Sequence, residues 1–100
     1  MPYAEPLSED EITERLSALP GWERVGESIS KTYKRKYLAG LGLITQVVVL
    51  EEKMDHHADI TYTYSGVTFS ISTHVLGKLS SKDFELAAGI ERVAGTHGDR

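Results

Sequence analysis

The chain has 100 residues, with 11 lysines and arginines against 15 aspartates and glutamates, which gives a formal net charge of −4. This length has room for one domain, so a single domain over residues 1–100 is expected. The absence of cysteine excludes disulfide bonds, zinc–thiolate sites and cysteine nucleophiles. The longest apolar run, residues 47–50, is far too short to cross a bilayer, and the N-terminal residues lack the pattern of a signal peptide. We therefore expect a cytoplasmic protein with no membrane partner.

The first predicted helix begins at a clear capping signal. Ser8 and Glu11 have the Ser-x-x-Glu spacing of a capping box, in which each side chain binds the backbone amide of the other residue. Apolar residues follow at helical spacing, and Pro20-Gly21 ends the helix. A first hairpin is expected next, with strands at residues 22–25 and 29–37.

The basic residues are concentrated around this hairpin. Residues 24–36 contain Arg24, Lys31, Lys34, Arg35 and Lys36 against Glu27. Nucleic-acid-binding domains usually show a broader basic face, and this chain is acidic as a whole. We therefore interpret the segment as the solvated surface of a strand and expect no nucleic-acid partner.

The middle of the chain leaves two interpretations open. Helical spacing of apolar residues favours a helix from Leu38 to about Met54, although Gly40 and Gly42 weaken its first turn. The β-branched run Val47-Val48-Val49 is equally compatible with a strand.

The remaining elements are easier to assign. Residues 60–64 and 67–72 form a second hairpin, in which Val67, Phe69 and Ile71 alternate with polar residues. The last helix begins at Ser80 or Ser81, and a mobile tail is expected at residues 96–100. The order α-β-β-α-β-β-α predicts an α+β fold, in which three helices pack on one face of a four-stranded antiparallel sheet.

Histidines mark the candidate site. His56, His57 and His74 lie near several acidic residues, and histidine exchanges protons near neutral pH. His56 and His57 follow the middle helix, whereas His74 follows the last strand. The two segments can therefore meet in a pocket at one edge of the sheet, which Tyr62 or Tyr64 can border. The alternative is that these are ordinary surface histidines.

Other chemistries fit less well. A metal site could use His56, His74 and a carboxylate, but no pair of histidines has the spacing that places two ligands on one helix face. Ser70 and Ser72 lie in a regular strand without the sharp turn that exposes a nucleophilic serine. We therefore expect no metal.

A series of motifs runs through the second half of the chain. It comprises Glu52-Lys53-Met54-Asp55-His56-His57, Tyr64, Ser72-Thr73-His74, Gly77, Leu79-Ser80 and Asp83-Phe84. In residue types and intervals it resembles the pterin-4a-carbinolamine dehydratase family, whose signature joins an acid, a histidine pair, an aromatic residue, a later histidine and an aspartate. The likeness begins at the first helix and covers nearly the whole chain.

The resemblance implies an enzyme that dehydrates 4a-hydroxytetrahydrobiopterin to quinonoid dihydropterin, and so recycles the tetrahydrobiopterin of aromatic amino acid hydroxylases. It implies no cofactor. Its catalytic residues correspond to His56, His57, His74 and Asp83. The residues expected to bind or border the substrate are Glu52, Asp55, Asp59, Ile60, Tyr64, Ser72 and Thr73. In this hypothesis His56 and His74 transfer protons, His57 binds or polarises the pterin, and Asp83 and Glu52 orient the histidines.

Three positions depart from the family pattern. Ala58 stands where Pro is usual, which frees φ and adds an amide donor. Ile60 replaces a usual Trp, and Tyr62 replaces a common Asn. We expect dehydration to be retained, with altered affinity for the pterin.

Relatives of this fold also act without catalysis. The alternative hypothesis is therefore an interaction module, similar to a transcriptional coactivator or an assembly factor, with a protein partner. A polar, β-rich edge strand and the family resemblance both suggest a homodimer or homotetramer.

Overall fold

The computed structural model describes the backbone of residues 4–97 and the side chains of residues 4–95. Its elements are α1 (Glu9–Ser17), β1 (Glu23–Val25), β2 (Ser28–Lys34), α2 (Tyr37–Met54), β3 (Asp59–Thr63), β4 (Gly66–Ile71) and α3 (Ser81–His97). The predicted order of helices and strands is confirmed. The mobile tail was predicted at residues 96–100. Residues 96 and 97 belong to α3, and residues 98–100 lie outside the described residues.

The four strands form one antiparallel sheet in the order β1-β2-β4-β3. The central pair β2 and β4 is in register from Ile29 opposite Ile71 to Lys34 opposite Gly66. Because β3 pairs only with β4 among these strands, it forms one edge of the sheet, and the short β1 forms the other.

Alternation along the strands separates a buried face from a polar face. Val67, Phe69 and Ile71 of β4 are fully buried, and they belong to one core that includes residues from all three helices. On the opposite face the hydroxyl groups of Thr32 and Thr68 lie 2.7 Å apart. The three helices therefore cover the apolar face of the sheet, as predicted.

The predicted capping box of α1 is present. The Glu11 carboxylate accepts a hydrogen bond from the Ser8 amide at 2.9 Å, and the Ser8 hydroxyl accepts one from the Glu11 amide at 3.2 Å. Both amides would otherwise lack a partner within the helix, so the local sequence by itself fixes where α1 begins.

Packing decides the ambiguous middle segment in favour of a helix. Val47 is fully buried, whereas Val48 and Val49 are about half exposed, which is the pattern of a helix lying on the sheet. Gly40 permits its close approach, because a Cβ atom there would lie 3.0 Å from the Tyr62 ring and 3.1 Å from a Val67 methyl group. The strand interpretation of Val47–Val49 is wrong because tertiary packing outweighs β propensity. The predicted second strand also ends earlier, at Lys34, since Tyr37 begins α2. No helix among residues 4–97 is long and apolar enough to span a membrane.

A polar clamp joins α3 to β2. The Glu91 carboxylate accepts hydrogen bonds from Lys31 Nζ at 2.8 Å and from the Tyr33 hydroxyl at 2.5 Å. Burial, together with this carboxylate, raises the pKa of Tyr33. Lys31 is therefore not simply a solvated strand residue, as the charge pattern had suggested, whereas Lys34 and Lys36 are exposed.

We expect Glu91→Ala to lower the free energy of unfolding by about 1–3 kcal/mol. The Tyr33 hydroxyl loses the carboxylate that accepts its hydrogen bond, and the partly buried Lys31 loses its ionic partner while it keeps the hydrogen bond to the Pro20 carbonyl. Urea denaturation measures the change. The exposed Glu85 on the same helix provides the control, and Glu85→Ala should alter stability by no more than about 0.5 kcal/mol. Equal losses in the two variants would contradict a role for the clamp.

Candidate active site

The end of α2 directs the first two histidines out of the helix. Asp55 has left-handed backbone angles, φ 53° and ψ 46°. Its amide donates to the Glu52 carbonyl at 3.4 Å, and the His56 amide donates to the Glu51 carbonyl at 3.1 Å. This is the hydrogen-bond pattern of a Schellman motif, so the helix ends abruptly and His56 and His57 lie in the irregular segment before β3.

A compact loop after β4 carries the third histidine. The amides of Leu76 and Gly77 both donate to the Thr73 carbonyl at 3.0 Å. Gly77 has φ +65°, a conformation that glycine adopts readily. The loop therefore turns back immediately after His74 and keeps this residue at the end of the sheet beside the α2 terminus.

Asp83 connects these segments through a buried network. Its Oδ1 atom lies 2.7 Å from His56 Nε2, and its Oδ2 atom accepts from the Thr73 hydroxyl and from the Ser80 amide, each at 2.8 Å. Because a carboxylate only accepts hydrogen bonds, His56 donates from Nε2. Asp83 and His56 are both buried, so the imidazole is held in one orientation.

His57 has a different, solvated environment. Its side chain is 52% exposed, and its Nε2 atom lies 2.6 Å from Glu52 Oε2. The hydrogen bond to Glu52, followed by the negative charges of Glu52, Glu51 and Asp55, raises the pKa of His57 above its ordinary value. The protonated, cationic form of His57 is therefore favoured.

The two segments border an open pocket of about 400 Å³. This volume lies within the range of small-molecule sites, roughly 300–1,000 Å³. Its lining residues are Asp55, His56, His57, Ser72, Thr73, His74 and Val75. His74 is exposed, with Nε2 3.4 Å from the Ser72 hydroxyl. Three imidazoles from two separate segments thus face one pocket.

The predicted site residues fall into three groups. His56, His57, His74, Asp55, Ser72 and Thr73 line the pocket, and Asp83 and Glu52 each contact a histidine. Asp59, Ile60 and Tyr64 are not among its lining residues.

The direction of β3 explains why Asp59, Ile60 and Tyr64 do not line the pocket. Ile60 pairs with Phe69 and packs against the core, while Asp59 points to the exposed side of the strand. Tyr64 lies beyond the far end of β3, is 85% exposed, and stacks on Tyr37 with ring centroids 6.3 Å apart. Tyr62 donates its hydroxyl proton to the Tyr37 carbonyl, so neither tyrosine borders the pocket.

Sequence reasoning missed two residues that support the site. Ser80 contributes its amide to Asp83, and the Ser80–Asp83 spacing is that of a capping box with Asp in place of Glu. Glu51 is buried, and it follows Leu43 and Val47 at four-residue intervals on the inner face of α2. Both signals were visible in the spacing of the sequence.

The arrangement is suited to proton transfer. It combines a buried imidazole held by a carboxylate, an imidazole with a raised pKa, and an exposed imidazole at the same pocket. Positioned groups of this kind act as general acids and bases near neutral pH. In the part of the chain that the structure describes, no group of three His, Asp or Glu side chains is arranged to hold a metal ion.

The family model described as "Pterin 4 alpha carbinolamine dehydratase" matches residues 5–93. The chain belongs to this family. A Streptomyces avermitilis protein named "Putative pterin-4-alpha-carbinolamine dehydratase" is 38% identical over 96 residues, which cover 94% of this chain and 95% of that protein. A protein of the same name from Roseiflexus castenholzii is 41% identical over 88 residues, covering 87% and 95%.

Solved structures support the same fold. A transcriptional coactivator/pterin dehydratase from Brucella melitensis has a TM-score of 0.87 and 31% identity, covering 91% of this chain and 100% of that chain. A pterin dehydratase-like protein identified as a RuBisCO assembly factor in the alpha-carboxysome has a TM-score of 0.61, covering 74% and 87%. At 16% identity the second likeness concerns the fold alone.

The Glu52–His57 pair generates a prediction about titration. Glu52→Gln should lower the pKa of His57 towards its ordinary value of 6.5, because the variant removes the negative charge that favours the imidazolium. Histidine ring signals followed by NMR during a pH titration measure this change. In the native protein the attraction between the His57 imidazolium and the Glu52 carboxylate stabilises the fold. This contribution is fully present below pH 6.5 and is lost as pH rises through the raised pKa of His57. Glu85→Gln serves as the charge-matched control, and an unchanged His57 midpoint in Glu52→Gln would refute the assignment.

Proposed function

We propose that the protein is a cytoplasmic 4a-hydroxytetrahydrobiopterin dehydratase that acts in tetrahydrobiopterin recycling. The observation that carries this proposal is the meeting of three imidazoles, from the α2 terminus and the loop after β4, at one pocket. Membership of the family supplies the substrate class, and the pocket supplies groups that can carry out the proton transfers.

The reaction requires two proton transfers and no net change in protons. The bond between the ring carbon and its hydroxyl oxygen breaks as that oxygen receives a proton and leaves as water. A proton leaves the adjacent ring nitrogen, whose electron pair forms the new double bond to the ring carbon. Groups that contact the substrate from different sides can deliver one proton and accept the other.

His56 and His74 form the proposed proton-transfer pair. His56 is fixed by Asp83, which itself accepts hydrogen bonds from Thr73 and Ser80. Such fixed partners keep the imidazole in place during the reaction, so little reorganisation is needed when charge moves. His74 reaches the same pocket from the opposite segment, where its exposure lets it exchange protons with water.

His57 is proposed to bind and polarise the pterin. The pKa of its imidazole is raised, so the group carries positive charge over a wider pH range than an ordinary histidine. A cation at the pocket attracts the electron-rich oxygen and nitrogen atoms of the heterocycle. Glu52 orients His57 from the solvent side.

Among the three departures from the family pattern, Ala58 lies nearest to this machinery. It directly follows His57, and its amide donates to the Glu51 carboxylate beside the histidine pair, whereas Ile60 and Tyr62 lie further along in β3. We therefore expect any altered affinity for the pterin to arise at Ala58 and in the irregular segment between α2 and β3 that it belongs to.

Absorbance-monitored dehydration of freshly prepared 4a-hydroxytetrahydrobiopterin tests the proposal. His56→Ala and His74→Ala should each lower kcat by about 10²-fold or more, because each removes a positioned acid or base. Asp83→Asn should lower kcat with a smaller effect on KM, since it weakens the hold on His56. Glu85→Ala on the exposed side of α3 is the control and should retain the native rate.

A rate no faster than buffer in the native protein would reject the enzymatic proposal and favour the alternative, an interaction module with a protein partner. That alternative draws on two solved proteins of the same fold, a transcriptional coactivator/pterin dehydratase and a pterin dehydratase-like protein identified as a RuBisCO assembly factor. Native rates in both histidine variants would reject the assignment of roles while leaving catalysis intact.

The exposed face of α2 supports a further part of the proposal, a homodimer or homotetramer. Leu38, Leu41 and Val48 are all substantially exposed and, with Thr45 between them, follow the three- and four-residue spacing of helix-to-helix interfaces. The segment from Tyr37 to Leu50 contains no charged residue. A second copy of the chain, packed along this row, would remove these side chains from water.

Light scattering coupled to size-exclusion chromatography measures the assembly. The native chain should elute as a dimer or tetramer, and Val48→Glu should reduce its mass, because a buried charge in the row is unfavourable. Gln46→Glu adds the same charge on an exposed position beside the row and should leave the mass unchanged. A native monomer would contradict this part of the proposal.

A further inference from the structure

Glu51 is a buried acidic residue that the proposed reaction does not use. Its side chain is only 4% exposed, and burial raises its pKa. A buried carboxyl group needs hydrogen bonds that offset its loss of water. Here the Ala58 amide donates to Glu51 Oε2 at 2.9 Å. The Glu51 side chain therefore extends from α2 to the segment that carries His56 and His57.

The same residue holds this segment at a second point. The Glu51 backbone carbonyl accepts the His56 amide at 3.1 Å, within the motif that ends α2. One residue therefore binds the backbone immediately before His57 and immediately after it. The first contact is a feature of the helix end that any residue could provide, whereas the second depends on the glutamate side chain.

The second contact is possible because residue 58 is alanine and therefore has an amide hydrogen. A proline at this position, which the family pattern usually has, would fix φ and would carry no amide hydrogen. Alanine leaves φ free and presents a donor, and the Glu51 carboxylate accepts that donor. The two positions thus form a complementary pair, in which a hydrogen bond supplies the restraint that a proline ring would otherwise supply.

We propose that Glu51 is a positioning residue, which holds His56 and His57 in place through the Ala58 amide. The catalytic consequence rests on the proposed dehydratase function, whereas the effect on the histidines does not. Glu51 acts through the backbone and does not contact the substrate, since it does not line the pocket.

A role in positioning must be distinguished from a role of charge, because the Glu51 charge also acts on His57. Glu51→Gln keeps an oxygen acceptor at the same distance and removes the charge. Glu51→Asp keeps the charge and shortens the side chain by one methylene group, so that it no longer reaches the Ala58 amide. The two variants therefore separate the two roles.

Steady-state kinetics and NMR of the histidine rings, applied to the same variants, test the proposal. Glu51→Asp and Glu51→Ala should lower kcat by about 10- to 100-fold, as expected for displaced catalytic groups, with a smaller change in KM. Glu51→Gln should remain within about threefold of the native kcat. The ring signals of His56 and His57 should move in the Asp and Ala variants, whereas that of His74 should stay in place.

Ala58→Pro provides a rescue. In the Glu51→Ala background it should recover most of the lost kcat and return the ring signals of His56 and His57 towards native positions, because proline restrains the backbone without a donor. Glu85→Ala is the control for kinetics and spectra. Circular dichroism establishes whether each variant is folded. If Glu51→Ala does not fold, the comparison of kcat and ring signals between Glu51→Gln and Glu51→Asp decides the question.

Three results would overturn the proposal. They are a Gln variant impaired as much as the Asp variant, native ring signals in the Asp variant, and no recovery in the Glu51→Ala, Ala58→Pro double variant. If the native protein lacks dehydratase activity, the proposed function fails, but the ring signals still decide whether Glu51 positions the histidines.

Discussion

The buried carboxylate of Asp83 is the interaction on which the site depends. It accepts hydrogen bonds from His56, Thr73 and the Ser80 amide, and so joins the end of α2, the loop after β4 and the start of α3. A carboxylate without these donors would be strongly unfavourable in the core, and the donors would be equally unfavourable without it. The three segments therefore adopt their conformations together, and the position of His56 follows from the packing of the whole domain.

The site divides into a rigid half and a solvated half. His56 is buried and held by Asp83, whereas His57 and His74 are exposed. The carboxylate partners differ in the same way, since Asp83 is inaccessible to water and Glu52 is largely exposed. A fixed imidazole suits a group that must transfer a proton at a defined position, and solvated imidazoles can exchange protons with water between reaction cycles. The same residue type thus occurs in two environments that suit different tasks.

Helix α2 combines three roles along its length. Its inner face packs Leu43 and Val47 into the core, its outer face is an uncharged apolar row, and its end positions the first two histidines. Glu51 lies where the core-facing row meets this end, which explains why a buried acid can occur there. Its carboxylate leaves the apolar core and meets the Ala58 amide in the irregular segment. The core, the exposed apolar row and the histidine pair are therefore linked through one helix.

The amino-acid sequence by itself determined the local features. The capping box of Ser8 and Glu11, the alternation of Val67, Phe69 and Ile71, and the order of the elements depend on neighbouring residues, so spacing and propensity were sufficient to predict them. The motif series similarly identified His56, His57, His74 and Asp83 as the candidate set. The local features could be predicted because they have short range in the chain or a strict period, whereas the candidate set rested on the resemblance of the motif series to a known family.

Only the tertiary structure decided the features that depend on distant packing. The run Val47–Val49 became helical because Val47 is buried against the rest of the core, and β3 carried Ile60 and Tyr64 away from the pocket. The pairing of Asp83 with His56, across 27 residues of sequence, and that of Glu51 with the Ala58 amide likewise required folded geometry. A hydrogen bond depends on distance and direction, and the sequence specifies these only through the completed fold.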